Sequence, residues 1–253
     1  MRGVSRHGPA ANSPAGNGVG MELNFDRYRV VSFDCYGTLV NWEPGIVRVL
    51  RPILAKRGLG LGDDAILESF GRFETAAVAD GYVPYTDVLR RTVDAFGEHF
   101  GFPPSSWERN ALVKFWRHLA PFTDTRRALS ALAARYRLAV VSNIDDALFA
   151  HTAASLGIEF RWLITAQQVR AYKPSPKIFE QALASFGVDS GEVLHVAQSL
   201  FHDIAPAKRL GLATVRINRR HGRSGFGATP PAHALPDLEV PDLDTLVRLS
   251  HAR

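Results

Sequence analysis

The sequence predicts an α/β fold: a parallel sheet with helices on both faces, interrupted by an inserted all-helical block. Three observations carry this. After Pro121, β-rich apolar runs alternate with segments of helical spacing. One further run of the strand type, RVVSFD at 29–34, stands alone far upstream. Between the two lies a stretch of about 80 residues with helical periodicity and no strand pattern.

Taken in order, residues 1–22 are rich in Gly, Pro, Ala and Ser and lack the apolar segment of a secretory signal. They read as a disordered tail, with structure starting near Met21. The run 29–34 is a buried strand with Asp34 at its C-terminal end. From Glu43 the period changes: Ile46, Val49, Leu50, Ile53 and Leu54 follow a helical stripe, and Gly58 stops it. Helices are expected at 63–80, 85–100 and 105–119, separated by Gly81 and by Pro103-Pro104. Next come a helix at 125–135, a strand at 137–142, a helix at 145–156 and a short strand at 162–165. Ser175 as N-cap with Pro176 at the first position opens a helix to about 187. A strand at 193–197, a helix at 203–210 and a strand at 212–217 follow, then an irregular Gly- and Pro-rich stretch at 218–241 and a short helix at 242–251. The expected division is a tail (1–22), a core (23–41 and 121–253) and a helical cap (42–120).

Composition narrows the function. The 253 residues carry a net charge of +5, but Lys and Arg are scattered, without a basic helix, zinc-finger spacing or aromatic RNA-binding signature. Nucleic acid is therefore not an expected partner; a moderately basic enzyme acting on a small anionic substrate is. A single cysteine, Cys35, rules out an internal disulfide and fits a reducing cytoplasm. No apolar run approaches the ~20 residues of a membrane span.

Ligands of open α/β sheets sit beyond the C-terminal strand ends. Asp34, Ser142-Asn143 and Gln198-Ser199 fall there and can converge beneath the helical block. Asp34 in Asp34-Cys35-Tyr36-Gly37-Thr38-Leu39 is either a nucleophile or an acid that caps a turn. Lys173, just before a helix, neutralises a carboxylate or is a solvated turn residue. Asp203 faces the same site or only complements a helix dipole.

Those four segments, in this order and with a helical insertion after the first, resemble the motifs of the haloacid dehalogenase superfamily from about Val30 to Ile217. The resemblance implies a Rossmann-like core, a cap and a nucleophilic Asp34. Phosphatases of that superfamily carry a second Asp two residues after the nucleophile and an Asp in the fourth motif; here Tyr36 and Gln198 occupy those places. Magnesium prefers anionic oxygen ligands, and an alkoxide leaving group needs a proton donor. Both losses suit a halide, which leaves unprotonated. The segment SFDCYGTLV is similar to the L-2-haloacid dehalogenase branch.

That resemblance implies attack by Asp34 on C2 of a 2-halocarboxylate, an ester intermediate, and hydrolysis to the 2-hydroxy acid. It implies Lys173 as the partner of Asp34, Ser142, Thr38 and Asn143 as groups that orient Asp34 or bind the substrate, and Asp203, with His202 beside it, at the hydrolytic water. Tyr36 and Ser199 are expected at the substrate, and Trp42, Phe201, Tyr82 and Tyr172 are candidates for an apolar wall. A cap arginine binds halide or carboxylate in this branch; Arg72 is the candidate by position, with Arg90 and Arg91 behind it. No metal or cofactor is expected, the partners are a small carboxylate and water, and homodimers are common in the family. Phe179 stands where the branch has Tyr, and the fourth motif is one residue longer with Gln198 for Ser. Cys35 points away from Asp34 by strand alternation and reads as a structural thiol. Kept open are the same ester chemistry on a strained cyclic amino acid, a magnesium-dependent phosphatase, and a non-catalytic binding protein.

Overall fold

The computed structural model describes residues 23–251; the predicted tail at 1–22 lies outside them. The sheet has six strands: β1 (Val30–Phe33), β2 (Arg137–Ser142), β3 (Trp162–Thr165), β4 (Val193–Ala197), β5 (Ala213–Ile217) and β6 (Leu238–Val240). All neighbours pair in parallel, in the order β3-β2-β1-β4-β5-β6. Five strands match the sequence reading. The sixth does not: the 218–241 stretch, expected to be irregular throughout, ends in β6, a three-residue edge strand paired to Val215–Ile217.

Five helices form the block inserted after β1: α1 (Glu43–Ala55), α2 (Asp63–Ala77), α3 (Tyr85–Phe100), α4 (Ser106–Arg109) and α5 (Ala111–Trp116). The helix expected at 105–119 is thus two short ones. The Asn110 side chain donates back to the Ser106 carbonyl and accepts from Arg90 at the break. The remainder is α6 (Thr125–Ala133), α7 (Asp146–Leu156), α8 (Ala166–Val169), α9 (Pro176–Phe186), α10 (Ala205–Arg209) and α11 (Leu243–His251). Among the described residues no helix is long and apolar enough to cross a membrane.

Strand alternation splits the core. Val31, Phe33, Val140, Leu194 and Val196 pack in the larger apolar cluster, and Val30, Ala139, Val141, Ile178 and Val193 in a second one. Chain order reverses at β1, whose neighbours are β2 on one side and β4 on the other. Ligands of doubly wound sheets gather at such a switch point, and Asp34, Ser142 and Gln198 end or follow these three strands.

The irregular 218–237 segment ties the inserted helices to the sheet. Arg220 is buried and pairs with Glu43 of α1 and Asp64 of α2. Gly71 of α2 meets the Ala228 carbonyl so closely that a Cβ would stand 2.7 Å from it. Arg219 reaches both oxygens of Asp124 and donates to the Thr38 carbonyl, anchoring the same segment under the turn after β1.

Candidate active site

Asp34 follows β1 at the edge of a closed turn. Thr38, Leu39 and Val40 amides all donate to the Cys35 carbonyl, and Gly37 takes φ +92°, a left-handed conformation. A Cβ there would sit 3.0 Å from Nε1 of Trp42, so the sequence Tyr-Gly-Thr meets both a backbone and a packing demand. The turn returns Thr38 to Asp34: its hydroxyl donates to Oδ2 at 2.7 Å and accepts from the Gln198 amide at 2.9 Å.

Lys173 supplies the other oxygen's partner. Its ammonium donates to Asp34 Oδ1 at 2.8 Å, Asp203 Oδ1 at 2.7 Å and the Val141 carbonyl at 2.9 Å. All three ammonium hydrogens therefore have acceptors. Asn143 clamps the Lys173 backbone from both sides, accepting from its amide at 2.7 Å and donating to its carbonyl at 3.1 Å. Asn143, expected at the substrate, thus spends both ends of its amide on holding the lysine.

Beneath this lies a relay that the sequence reading missed. His195 of β4 joins Ser32 Oγ through Nδ1 at 2.9 Å and Asp203 Oδ1 through Nε2 at 3.0 Å. Ser32 and His195 are direct neighbours in the β1–β4 register. Phe179 packs edge-on against the His195 ring with centroids 5.0 Å apart and is fully buried, outside the residues that line the cavity.

The electrostatics follow from burial against pairing. Burial pushes the Asp34 pKa above the ordinary carboxylate value; Lys173 pulls against this without cancelling it, and the nearby Asp203 adds to the rise. Burial would also raise Asp203, but Lys173 and His195 hold it below the usual value. Burial pulls the Lys173 ammonium down, and the charges of Asp203 and Asp34 more than compensate. Burial pushes the Cys35 thiol well up, and it sits in the apolar cluster on the other face of the sheet, as an unreactive thiol should.

Asp34, Lys173, Asp203, Ser142, Asn143, Tyr36, Ser199 and Trp42 line one small cavity of about 30 Å³. Thr38 stands behind Asp34. The Ser142 hydroxyl and Asp203 Oδ2 are buried without a partner and are free to bind a substrate or water. Tyr36 offers only its ring, since its hydroxyl bonds Thr152 at 2.8 Å. His202, expected beside Asp203 at the hydrolytic water, also lines the cavity, and burial lowers its pKa to about 4, so it is a neutral imidazole near pH 7. The extra residue of the fourth motif explains its placement. Leu200–Ile204 form a π turn, closed by Ile204 N–H to Ser199 O and Ala205 N–H to Leu200 O. Such one-residue expansions recur at functional sites.

Other candidates lie elsewhere. Phe201 is half-buried and meets the His202 ring edge-on without lining the cavity. Tyr82 and Tyr172 stack on each other outside it. Arg72 is exposed on α2, lying over Phe73 and beside His99. Arg90 is engaged with Asp87 and Asn110, and Arg91 is exposed. Among the described residues no arginine lines the cavity. In their place the cap contributes Glu74 of α2 and Tyr85 of α3, and the 218–237 segment contributes Thr229.

The donor set does not fit magnesium. Tyr36 and Gln198 bring no carboxylate beside Asp34, and the Gln198 amide oxygen accepts from Thr229 at 3.2 Å. Among the described residues no three His, Cys, Asp or Glu side chains gather as metal ligands.

A capped Rossmann-like core with a buried aspartate at its first strand end defines a class of hydrolases. The chain belongs to the haloacid dehalogenase-like hydrolases, whose family model matches residues 28–211. It is 28% identical to (S)-2-haloacid dehalogenase 1 of Pseudomonas sp. (strain CBS-3), over 89% of this chain and 99% of that one. It is 29% identical to haloacid dehalogenase-like hydrolase domain-containing protein 3 of Danio rerio, over 69% and 72% of the two chains. A solved defluorinating L-2-haloacid dehalogenase superposes with a TM-score of 0.73 at 26% identity, covering 89% of this chain and 96% of its own.

Proposed function

We propose that the protein displaces a leaving group from an sp³ carbon of a small carboxylate through an ester at Asp34, without a metal, and that 2-haloacids are its substrates. Asp34 Oδ forms a bond to C2 as the carbon–halogen bond breaks, and the halide departs with the electron pair and with inversion at C2. Water then adds to the Asp34 carbonyl carbon, the acyl–oxygen bond breaks, and an L-2-haloacid leaves as the D-2-hydroxy acid. The unpartnered Asp203 Oδ2 and the neutral His202 ring are the groups available to orient that water and take its proton.

One observation carries this reading. Asp34 is held at both oxygens by Lys173 and Thr38, while the two positions that would serve phosphoryl transfer hold Tyr36 and Gln198. The dehalogenases among the relatives support it. The test is halide release from L- and D-2-chloropropionate in EDTA, with release expected from the L isomer only. One turnover in oxygen-18 water is expected to label the Asp34 carboxylate; label passing straight into the hydroxy acid rules out the ester.

A further inference from the structure

Glu74 is a cap carboxyl in the roof of the same cavity as Asp34, only 6% exposed, and no role is yet attached to it. Three facts about its surroundings bear on what enters. Three of the lining residues are carboxylic acids, Asp34, Glu74 and Asp203, and their one formal cation is Lys173, already committed to three acceptors. No arginine among the described residues reaches the cavity to answer Glu74. The rings of Tyr85, Trp42 and Tyr36 line the same cavity, and aromatic faces attract cations.

A buried carboxyl without a counter-charge is costly. Burial raises Glu74 to about 7, with the Tyr85 hydroxyl pulling the other way. A carboxyl perturbed in this way inside a cavity marks a place where a ligand can supply the missing charge. A purely anionic substrate would instead add a fourth acid to the cavity.

Building on the aspartyl-ester reading, we propose that Glu74 is the specificity-determining residue and that the substrate carries an ammonium group as well as its carboxylate. The ammonium sits between the Glu74 carboxylate and the Tyr85 and Trp42 rings. The reacting carbon then faces Asp34, and the free Ser142 hydroxyl is left for the substrate carboxylate.

Two isosteric pairs separate this from the chemistry. β-Alanine and butyrate differ in an ammonium against a methyl and neither can react; calorimetry on the intact enzyme at about pH 8 reads recognition alone. β-Alanine is expected to bind at least about tenfold more tightly, and Glu74→Gln to erase that preference. Equal or tighter binding of butyrate by the wild-type enzyme overturns the proposal, and that comparison needs no variant to fold. So does a preference that survives Glu74→Gln in a variant shown to be folded by its circular dichroism. The reactive pair is 3-amino-2-chloropropionate and 2-chlorobutyrate. The ammonium compound is expected to release chloride with the higher kcat/KM, and Glu74→Gln to lower that value mainly through KM. If β-alanine is preferred but neither chloro compound yields chloride or an Asp34 ester, the hydrolytic reading fails and the recognition stands.

Discussion

The floor and the roof of the cavity are built on opposite principles. In the floor, Asp34, Lys173, Asp203, His195 and Ser32 form one chain of hydrogen bonds of 2.7–3.0 Å, supported by Thr38 and Asn143. Each of these side chains rises from a strand, a strand end, a helix-opening loop or the π turn of the sheet core. In the roof, Glu74, Tyr85 and Trp42 offer one ionisable group and aromatic faces, with no cation to balance the acid. A connected polar network holds its members in one geometry, which suits a nucleophile. A buried carboxyl without a counter-charge is open to a cationic partner, which suits recognition. The chemistry is therefore assigned to the core and the choice of substrate to the inserted helices.

Breaking the floor should cost most. Asp34→Asn is expected to lower kcat by on the order of a thousandfold or more, read by halide release with 2-haloacids. Because burial raises the Asp34 pKa, the acid limb of the wild-type rate profile should lie above that of an ordinary aspartate. Next comes Lys173→Met, which strands two buried carboxylates and is expected to destabilise the fold by about 3–5 kcal/mol in urea titrations at neutral pH. The sign of its pH dependence follows from Asp203. Its pKa is held low in the folded state, so its stabilising contribution is present above the unfolded value and is lost as pH falls through the folded one. The deficit of Lys173→Met should accordingly shrink in acid.

Changes to the roof should act in the other direction. Glu74 has a folded pKa of about 7 against an ordinary 4.5, so wild-type stability declines as pH rises between those values and then levels off. Glu74→Gln removes the decline and is expected to be roughly 2–3 kcal/mol more stable at pH 8, with little difference below pH 4.5. A variant no more stable than wild type would mean that the roof is already balanced. The smallest effect is expected for Arg72→Ala, outside both regions: kcat/KM within about threefold and stability within about 0.5 kcal/mol. A hundredfold loss would show instead that α2 turns to bring Arg72 inward.

The contrast also explains what could be read from the sequence. The floor residues stand at ends of apolar strands or before a helix, and both kinds of boundary leave local marks; hence Asp34, Ser142, Lys173 and Asp203 were visible. His195 was not, because inside VLHVA nothing local separates a packed histidine from a linked one; its meaning lies in Ser32 across the register. Strand β6 escaped because three residues beside a Pro-rich stretch carry too little alternation to stand out. For the cap, motif position suggested Arg72, but helical periodicity argued otherwise. Ile66, Leu67, Phe70 and Gly71 form the buried stripe of α2, and Glu74 continues it at the next turn while Arg72 falls off it. A carboxyl on an apolar stripe was the available signal. The π turn was foreshadowed only as an extra residue in the fourth motif, with no indication that it would bring His202 to the cavity.

The cavity at Asp34 is small, about 30 Å³, and a haloacid has several non-hydrogen atoms, so its entry calls on the roof to move. The work of substrate entry then falls on the inserted helices and the segment that straps them to the sheet.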